Sequence, residues 1–261
     1  MKTIWQGLVC LLFLATCSCA QLTDYSPYDA KISHHNINIE NITRLTDQVL
    51  STDTLRFAVI SDTHTNYSDL KDAVRFINTL ENIAFTVISG DITDWGLAAE
   101  FKDYYQLISK LNMPFITLIG NHDYLSNGEL IYTKMFGPTS FYFDLGDYRM
   151  VVFDNVVWEK GNKEPDFNWL QKTLQDTADH TNITFMHIHP WDPQLDNGYA
   201  DRIGQIIESQ PVAISFFGHG HGYKYEIKND RQYLLVPTVQ RRVMAKVTLV
   251  DQQASFEMLH F

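Results

Sequence analysis

Val212-Ala213-Ile214-Ser215-Phe216-Phe217 runs straight into Gly218-His219-Gly220-His221. The apolar run has the length of a buried strand, and the glycines after it leave the backbone free to aim two imidazoles to one side. A rigid strand edge ending in paired histidines is one way to present metal ligands; alone, it is equally a plain turn. Four other apolar runs upstream end in complementary groups: Asp62-Thr63-His64, Gly90-Asp91, Gly120-Asn121-His122-Asp123 and His187-Ile188-His189-Pro190. Taken singly, a buried histidine is usually structural. Five strand ends bearing Asp, Asn and His point instead to a site assembled along the edge of a sheet.

The chain between these ends has a clear rhythm. Leu55 to Ser61 forms an apolar run before Asp62, and Ser68 is expected to cap a helix with Leu70, Ala73, Val74, Ile77 and Leu80 on one face. Phe85 to Ser89 reads as the next strand, Ala98 to Leu111 as a helix halted before Pro114, and Phe115 to Ile119 as a third strand. This alternation predicts βαβ units with ligands at the carboxyl ends of the strands. The pattern then changes. A hairpin is expected around Gly146-Asp147, a helix opened by Pro165 with Phe167, Leu170 and Leu174 inward, a strand over Ile183 to Met186, and a helix around Ile203, Ile206 and Ile207. After His221, Tyr223 to Ile227, Tyr233 to Val236, Val243 to Val250 and Phe256 to Phe261 read as a run of antiparallel strands, with a turn at Asn229-Asp230. The expected fold is α/β: two sheets face to face with helices outside. There is no internal repeat.

The 261 residues are 45% hydrophobic, enough for one large domain with an ample core. The net charge of -11 argues against general nucleic-acid binding, which needs a basic face. It would also repel an anionic substrate unless metal ions reverse the sign locally. Residues 1–19 read as an export signal: Lys2, an apolar stretch from Leu8 to Ala15, then small residues at Thr16, Ser18 and Ala20. The stretch is shorter than the roughly 20 residues that span a bilayer. All three cysteines, Cys10, Cys17 and Cys19, fall here, so the rest of the chain has neither disulfides nor thiolate ligands. Cysteines at the end of a signal resemble a bacterial lipobox. That implies a lipid anchor at Cys19 or Cys17 and a place in the periplasm or on the outer membrane. Residues 20–52 read as a polar tether with room for a short helix between Asn36 and Leu50, and His34-His35 within it as solvated; the domain is expected over 53–261.

Asp, Asn and His without Cys suit zinc, manganese or iron. Two divalent ions about 3.5–4 Å apart need a bridging carboxylate and a shared hydroxide. Asp91 is the natural bridge. The first ion would take Asp62, His64, Asp91 and His221; the second would take Asp91, Asn121, His187 and His219.

With Asp62-x-His64, Gly90-Asp91, Gly120-Asn121-His122-Asp123, His187 and Gly218-His219-Gly220-His221 in this order, the sequence resembles the calcineurin-like metallophosphoesterase family over nearly all of 53–261. The resemblance implies an αββα sandwich with a dinuclear centre that hydrolyses phosphate esters. Residues 90–96, Gly-Asp-Ile-Thr-Asp-Trp-Gly, look most like the branch with cyclic-nucleotide-type phosphodiesterases. The fourth motif departs from the common His-x-Pro. Aligned on the preceding strand, His187 is the ligand, and His189 is the alternative. His122, next to a ligand, is expected to protonate the leaving oxygen or hydrogen-bond the phosphoryl group, with Asp123 orienting it. The expected activity is a phosphodiesterase or phosphomonoesterase on a small-molecule phosphoester. The rivals are a lipid-headgroup or nucleotide pyrophosphatase on the same site, and a metal-holding binding protein without turnover. His189, Trp191, Tyr223 and Arg241-Arg242 could line a pocket or simply pack.

Overall fold

Three parallel strands follow from the first three apolar runs: β1 (Thr54–Ile60), β2 (Phe85–Ile88) and β3 (Phe115–Thr117). Each is nearly all buried, as strands covered on both faces should be. The structure is a computed structural model that describes residues 29–48, 54–175 and 180–261. The export signal, with Cys10, Cys17 and Cys19, lies outside the described residues. No helix among the described residues is long and apolar enough to cross a membrane.

The later strands are β4 (Phe141–Leu145), β5 (Tyr148–Val152), β6 (Thr181–Phe185), β7 (Val212–Phe217), β8 (Lys224–Lys228), β9 (Arg231–Leu235), β10 (Val243–Val250) and β11 (Gln253–His260). They complete two sheets, one of five strands in the order β11-β10-β1-β2-β3 and one of six in the order β4-β5-β6-β7-β9-β8. The C-terminal strands are not the simple antiparallel run expected from the sequence. β8 and β9 form a hairpin, but β9 lies parallel to β7, and β10 crosses to the other sheet to pair antiparallel with β1. Strand periodicity reports which face is buried and says nothing about which sheet a strand joins.

Between the sheets lies a core of interleaved aromatics. Phe57 stacks on Phe85 at 4.8 Å between ring centroids, Phe185 stacks on Phe216 at 5.2 Å, and Phe57 meets both of the latter edge-on. Fully burying each such side chain contributes about 1.5–3 kcal/mol. The outer faces are covered by α1 (Ile37–Gln48), α2 (Tyr67–Ile77), α3 (Ala98–Ile108), α4 (Gly128–Phe136), α5 (Phe167–Gln175) and α6 (Tyr199–Glu208). The αββα arrangement is as expected. Helix α2 starts two residues earlier than expected. Asn66, not Ser68, holds the cap position, and its side chain accepts from Gln240 Nε2 at 2.6 Å rather than capping.

Helix α1 lies in the stretch read as a tether. Ile37 and Leu45 are buried, and Asn38 pairs with the free edge of β3 through both amide atoms, each 2.9 Å from the Thr117 main chain. That edge is thereby closed to other strands. This part of the extension is packed against the sandwich. His34 and His35 are exposed, with the His34 ring 4.2 Å from that of Tyr105.

Candidate metal centre

The candidate ligands sit where strands end. Asp62 follows β1, Asp91 follows β2, Asn121 follows β3, His187 follows β6, and His219 with His221 follows β7. Main-chain bonds tie these ends together: Asp62 N donates to Gly90 O, His64 N to Asp91 O, and Gly218 N to His187 O, at 2.8–3.2 Å. The turns are sharp. Asp62, His64, Asp91, His219 and His221 have φ between 46° and 67°, where a non-glycine residue is disfavoured by about 1–2 kcal/mol. Such conformations persist where the surroundings over-determine them, and they concentrate at functional sites.

Two groups of ligand atoms result. Asp62, His64 and His221 form one; Asp91, His187 and His219 form the other, with the ligand atoms in each within 4.8 Å of one another. Asp91 lies between them. Its Oδ2 is 3.1 Å from His187 Nε2 and 3.9 Å from His64 Nε2, while Oδ1 accepts from His122 N at 2.9 Å. Asn121 Oδ1 joins the second group, 3.2 Å from His187 Nε2 and 2.9 Å from His219 Nδ1. The structure thus brings together all seven residues singled out from the sequence. The same geometry separates the two histidines of the fourth motif. His187 is fully buried against Asp91, whereas His189 is absent from both groups, its ring lying 5.7 Å from Trp191 and 5.9 Å from His219.

The donor set fits divalent cations. His187 Nδ1 donates to Ser89 O at 2.7 Å, and His64 Nδ1 faces Thr93 O at 3.2 Å and Asp94 Oδ1 at 3.0 Å. Each proton is thereby kept on Nδ1, leaving Nε2 toward the site, the orientation expected of metal-bound imidazoles. His64 Nε2 and His221 Nε2 face each other at 3.4 Å, an arrangement that a cation between them would satisfy. Electrostatics without metal are correspondingly strained. Burial, together with the charge of Asp91, pushes the Asp62 carboxyl up to about 7. Burial works against a charged His187, yet Asp91 beside it holds its pKa up at about 10. Asp91, despite its own burial, is held well below the usual carboxylate range by His187. Burial lowers His219 and His221.

Asp123 does not orient His122. It is buried and turned away, accepting from Ile92 N, Thr93 N, Thr93 Oγ1 and Gly120 N at 2.7–3.2 Å. Four donors hold the turn after Asp91 against the turn after β3, so Asp123 serves as a strut. His122 Nδ1 instead donates to the Asp94 carbonyl at 2.8 Å. Three carboxylates escaped the sequence reading as site residues. Asp94 touches His64, Thr65 and His122; Asp192 Oδ2 lies 3.0 Å from His219 Nε2; Glu159 Oε1 accepts from Asn121 Nδ2 at 2.9 Å. The first was signalled only by its place three residues after Asp91, and the other two by nothing local. Arg241 Nε donates to His221 O at 2.8 Å, and Arg242 pairs with Asp69 and Asp72, away from the ligand groups. Tyr223 is exposed, and Trp191 lies under Lys224 Nζ at 3.5 Å.

Residues 55–223 match the family described as calcineurin-like phosphoesterase. A probable cyclic nucleotide phosphodiesterase of Xenorhabdus bovienii is 21% identical over 172 residues, covering 62% of this chain and 70% of that one. A glycerophosphodiester phosphodiesterase of Enterobacter lignolyticus is 28% identical over 200 residues, covering 63% and 70%. Among solved structures, GAP50 of the Plasmodium inner membrane complex has a TM-score of 0.61 at 13% identity, covering 79% of this chain and 84% of that one. A purple acid phosphatase from yellow lupin seeds has 0.60 at 14%, covering 80% and 52%. At those identities the structural likeness is one of fold.

Proposed function

Because this chain belongs to the calcineurin-like phosphoesterase family, we propose that it is a phosphodiesterase of small molecules that works with two divalent cations of manganese, iron or zinc. The observation that carries this reading is Asp91, set between two ligand groups that draw on both sheets. Asp62, His64, Asp91 and His221 would hold one cation, and Asp91, Asn121, His187 and His219 the other. Bound there, the cations would supply a bridging hydroxide at neutral pH and positive charge on the phosphoryl oxygens.

The chain's own residues do the rest. Helix and strand ends tied to one another fix the ligand atoms before substrate arrives, so little reorganisation accompanies reaction. His122 keeps Nδ1–H on the Asp94 carbonyl, which leaves Nε2 to act. Doubly protonated, it gives its Nε2 proton to the departing oxygen and relaxes to the neutral tautomer that the carbonyl already holds. The preference for diesters draws on the two relatives named for cyclic nucleotide and glycerophosphodiester hydrolysis. The proposal includes export, with anchoring through Cys19 or Cys17, since residues 1–19 read as an export signal with cysteines at its end.

The test is a substrate panel on purified protein with its metals measured: cyclic nucleotides, glycerophosphodiesters, bis(4-nitrophenyl) phosphate and 4-nitrophenyl phosphate. Diesters should turn over faster than the monoester, and chelation should abolish both rates. A monoester preference, or activity that survives chelation, would overturn the reading.

A further inference from the structure

An asparagine ligand poses a problem that a carboxylate does not. Its amide is nearly symmetric in shape, yet only Oδ1 can bind a cation, and a half-turn about χ2 would present Nδ2 instead. The groups that face Asn121 Oδ1 are His187 Nε2 and His219 Nδ1, and neither has a proton to offer once it is itself a ligand. What fixes the amide must therefore act on Nδ2. That partner is Glu159, whose Oε1 lies 2.9 Å away and, as a carboxylate oxygen, can only accept.

Glu159 is itself firmly placed. It follows β5 in a tight turn, with Lys160 N and Asn162 N both donating to Val157 O at 2.9–3.2 Å. Lys160, the nearest cation in sequence, is drawn off to buried Asp154, with Nζ 2.8 Å from Oδ2. Glu159 forms no ion pair among the described residues, and its Oε2 is buried without a hydrogen-bond partner. A desolvated, uncompensated carboxylate oxygen is costly unless positive charge lies within reach. The second cation of the proposed centre would be one such source, on the far side of the Asn121 amide. His187, by contrast, is braced by the main-chain carbonyl of Ser89, which adds no charge.

We propose that Glu159 is a positioning residue for the second cation: it locks the Asn121 amide with Oδ1 inward and lends negative charge through it. This rests on the two-cation reading of the site. Outer partners of metal ligands typically change metal affinity by roughly 10–100-fold.

The test is Mn2+ titration of metal-free full-length protein, followed by dialysis stoichiometry and by the electron paramagnetic resonance signal of the coupled ion pair. Wild type should bind two ions and give the coupled signal. Glu159→Ala should bind the first as wild type does and the second about 10–100-fold more weakly. Asn121→Asp should do worse, because it sets two carboxylates face to face. Adding Glu159→Gln to Asn121→Asp should recover second-site affinity and the coupled signal, since the new amide can donate to the new carboxylate. A Glu159 that merely supports its loop would give no such rescue. Wild-type affinity at both sites in Glu159→Ala, or an Asn121→Asp defect that Glu159→Gln does not relieve, would overturn the proposal. Binding of a single ion by wild type would remove the two-cation reading, and this proposal with it.

Discussion

Gly120→Ala tests how tightly the site is drawn together. A Cβ on Gly120 would stand 2.2 Å from both Asp91 N and Asp91 Oδ1, where ordinary contact begins at 3.4 Å. Asp91 would have to withdraw by more than 1 Å, or the Gly120 turn would have to open by as much. Neither has slack. Asp91 Oδ1 is bonded to His122 N and Oδ2 faces His187, while Gly120 N is bonded to Asp123. Overpacking of this kind costs about 1–3 kcal/mol, which lowers Tm by several degrees at about 2–4 °C per kcal/mol for a domain of this size. The effect on activity should be larger than stability suggests, since a 1 Å misplacement in a catalytic constellation can cost about 10²-fold. Gly146→Ala is the matched control: φ is +56°, nothing lies within 4 Å, and only local backbone strain follows. Diester hydrolysis, bound metal and Tm would be measured on both variants. Gly120→Ala should lose about 10²-fold or more in kcat and hold metal weakly, whereas Gly146→Ala should keep wild-type activity. Wild-type metal binding and turnover in Gly120→Ala would refute the inference that Asp91 has no room to move.

Three further outcomes follow from the same geometry. His122→Ala should leave metal in place and cost about 10²–10⁴-fold on alkyl diesters, but far less on nitrophenyl esters, whose leaving group departs without a proton. Equal losses on both would assign His122 to the phosphoryl oxygens. His187→Ala should cost far more activity and bound metal than His189→Ala, because only His187 contacts Asp91 and Asn121; the reverse order would reassign the fourth motif. Metal binding should release protons in a pH-dependent number. Asp62 carries a proton below about 7 and His187 below about 10 in the metal-free protein, and both must be lost to bind a cation. Calorimetry in buffers of different ionisation enthalpy should therefore find more protons released per chain at pH 6, where Asp62 is protonated, than at pH 8.5, where it is not. A constant number across that range would contradict the raised carboxyl.

The strand ends were legible because burial and chemistry change abruptly there. Ile88 is buried and Asp91, three residues later, is a carboxylate in a left-handed turn, a contrast that survives in the one-dimensional sequence. Asp192 and Glu159 were not legible for the opposite reason. Glu159 meets Asn121 from 38 residues away, and before folding nothing distinguishes it from a solvated glutamate. Asp123 misled because it is adjacent to His122 in sequence, while a short 3-10 turn over His122–Tyr124 sends the two side chains apart. Helix α1 hid its packing in polar residues. Asn38 is buried because its amide completes the β3 edge, a contact that hydrophobic periodicity cannot register.

The most direct test of the account is diester hydrolysis by metal-free protein titrated with Mn2+, with bound ions counted at each step. If Asp91 joins two cation sites into one catalytic centre, hydrolysis should stay near zero through the first equivalent and rise as the second binds. Full activity with a single bound ion, or none with two, would contradict it.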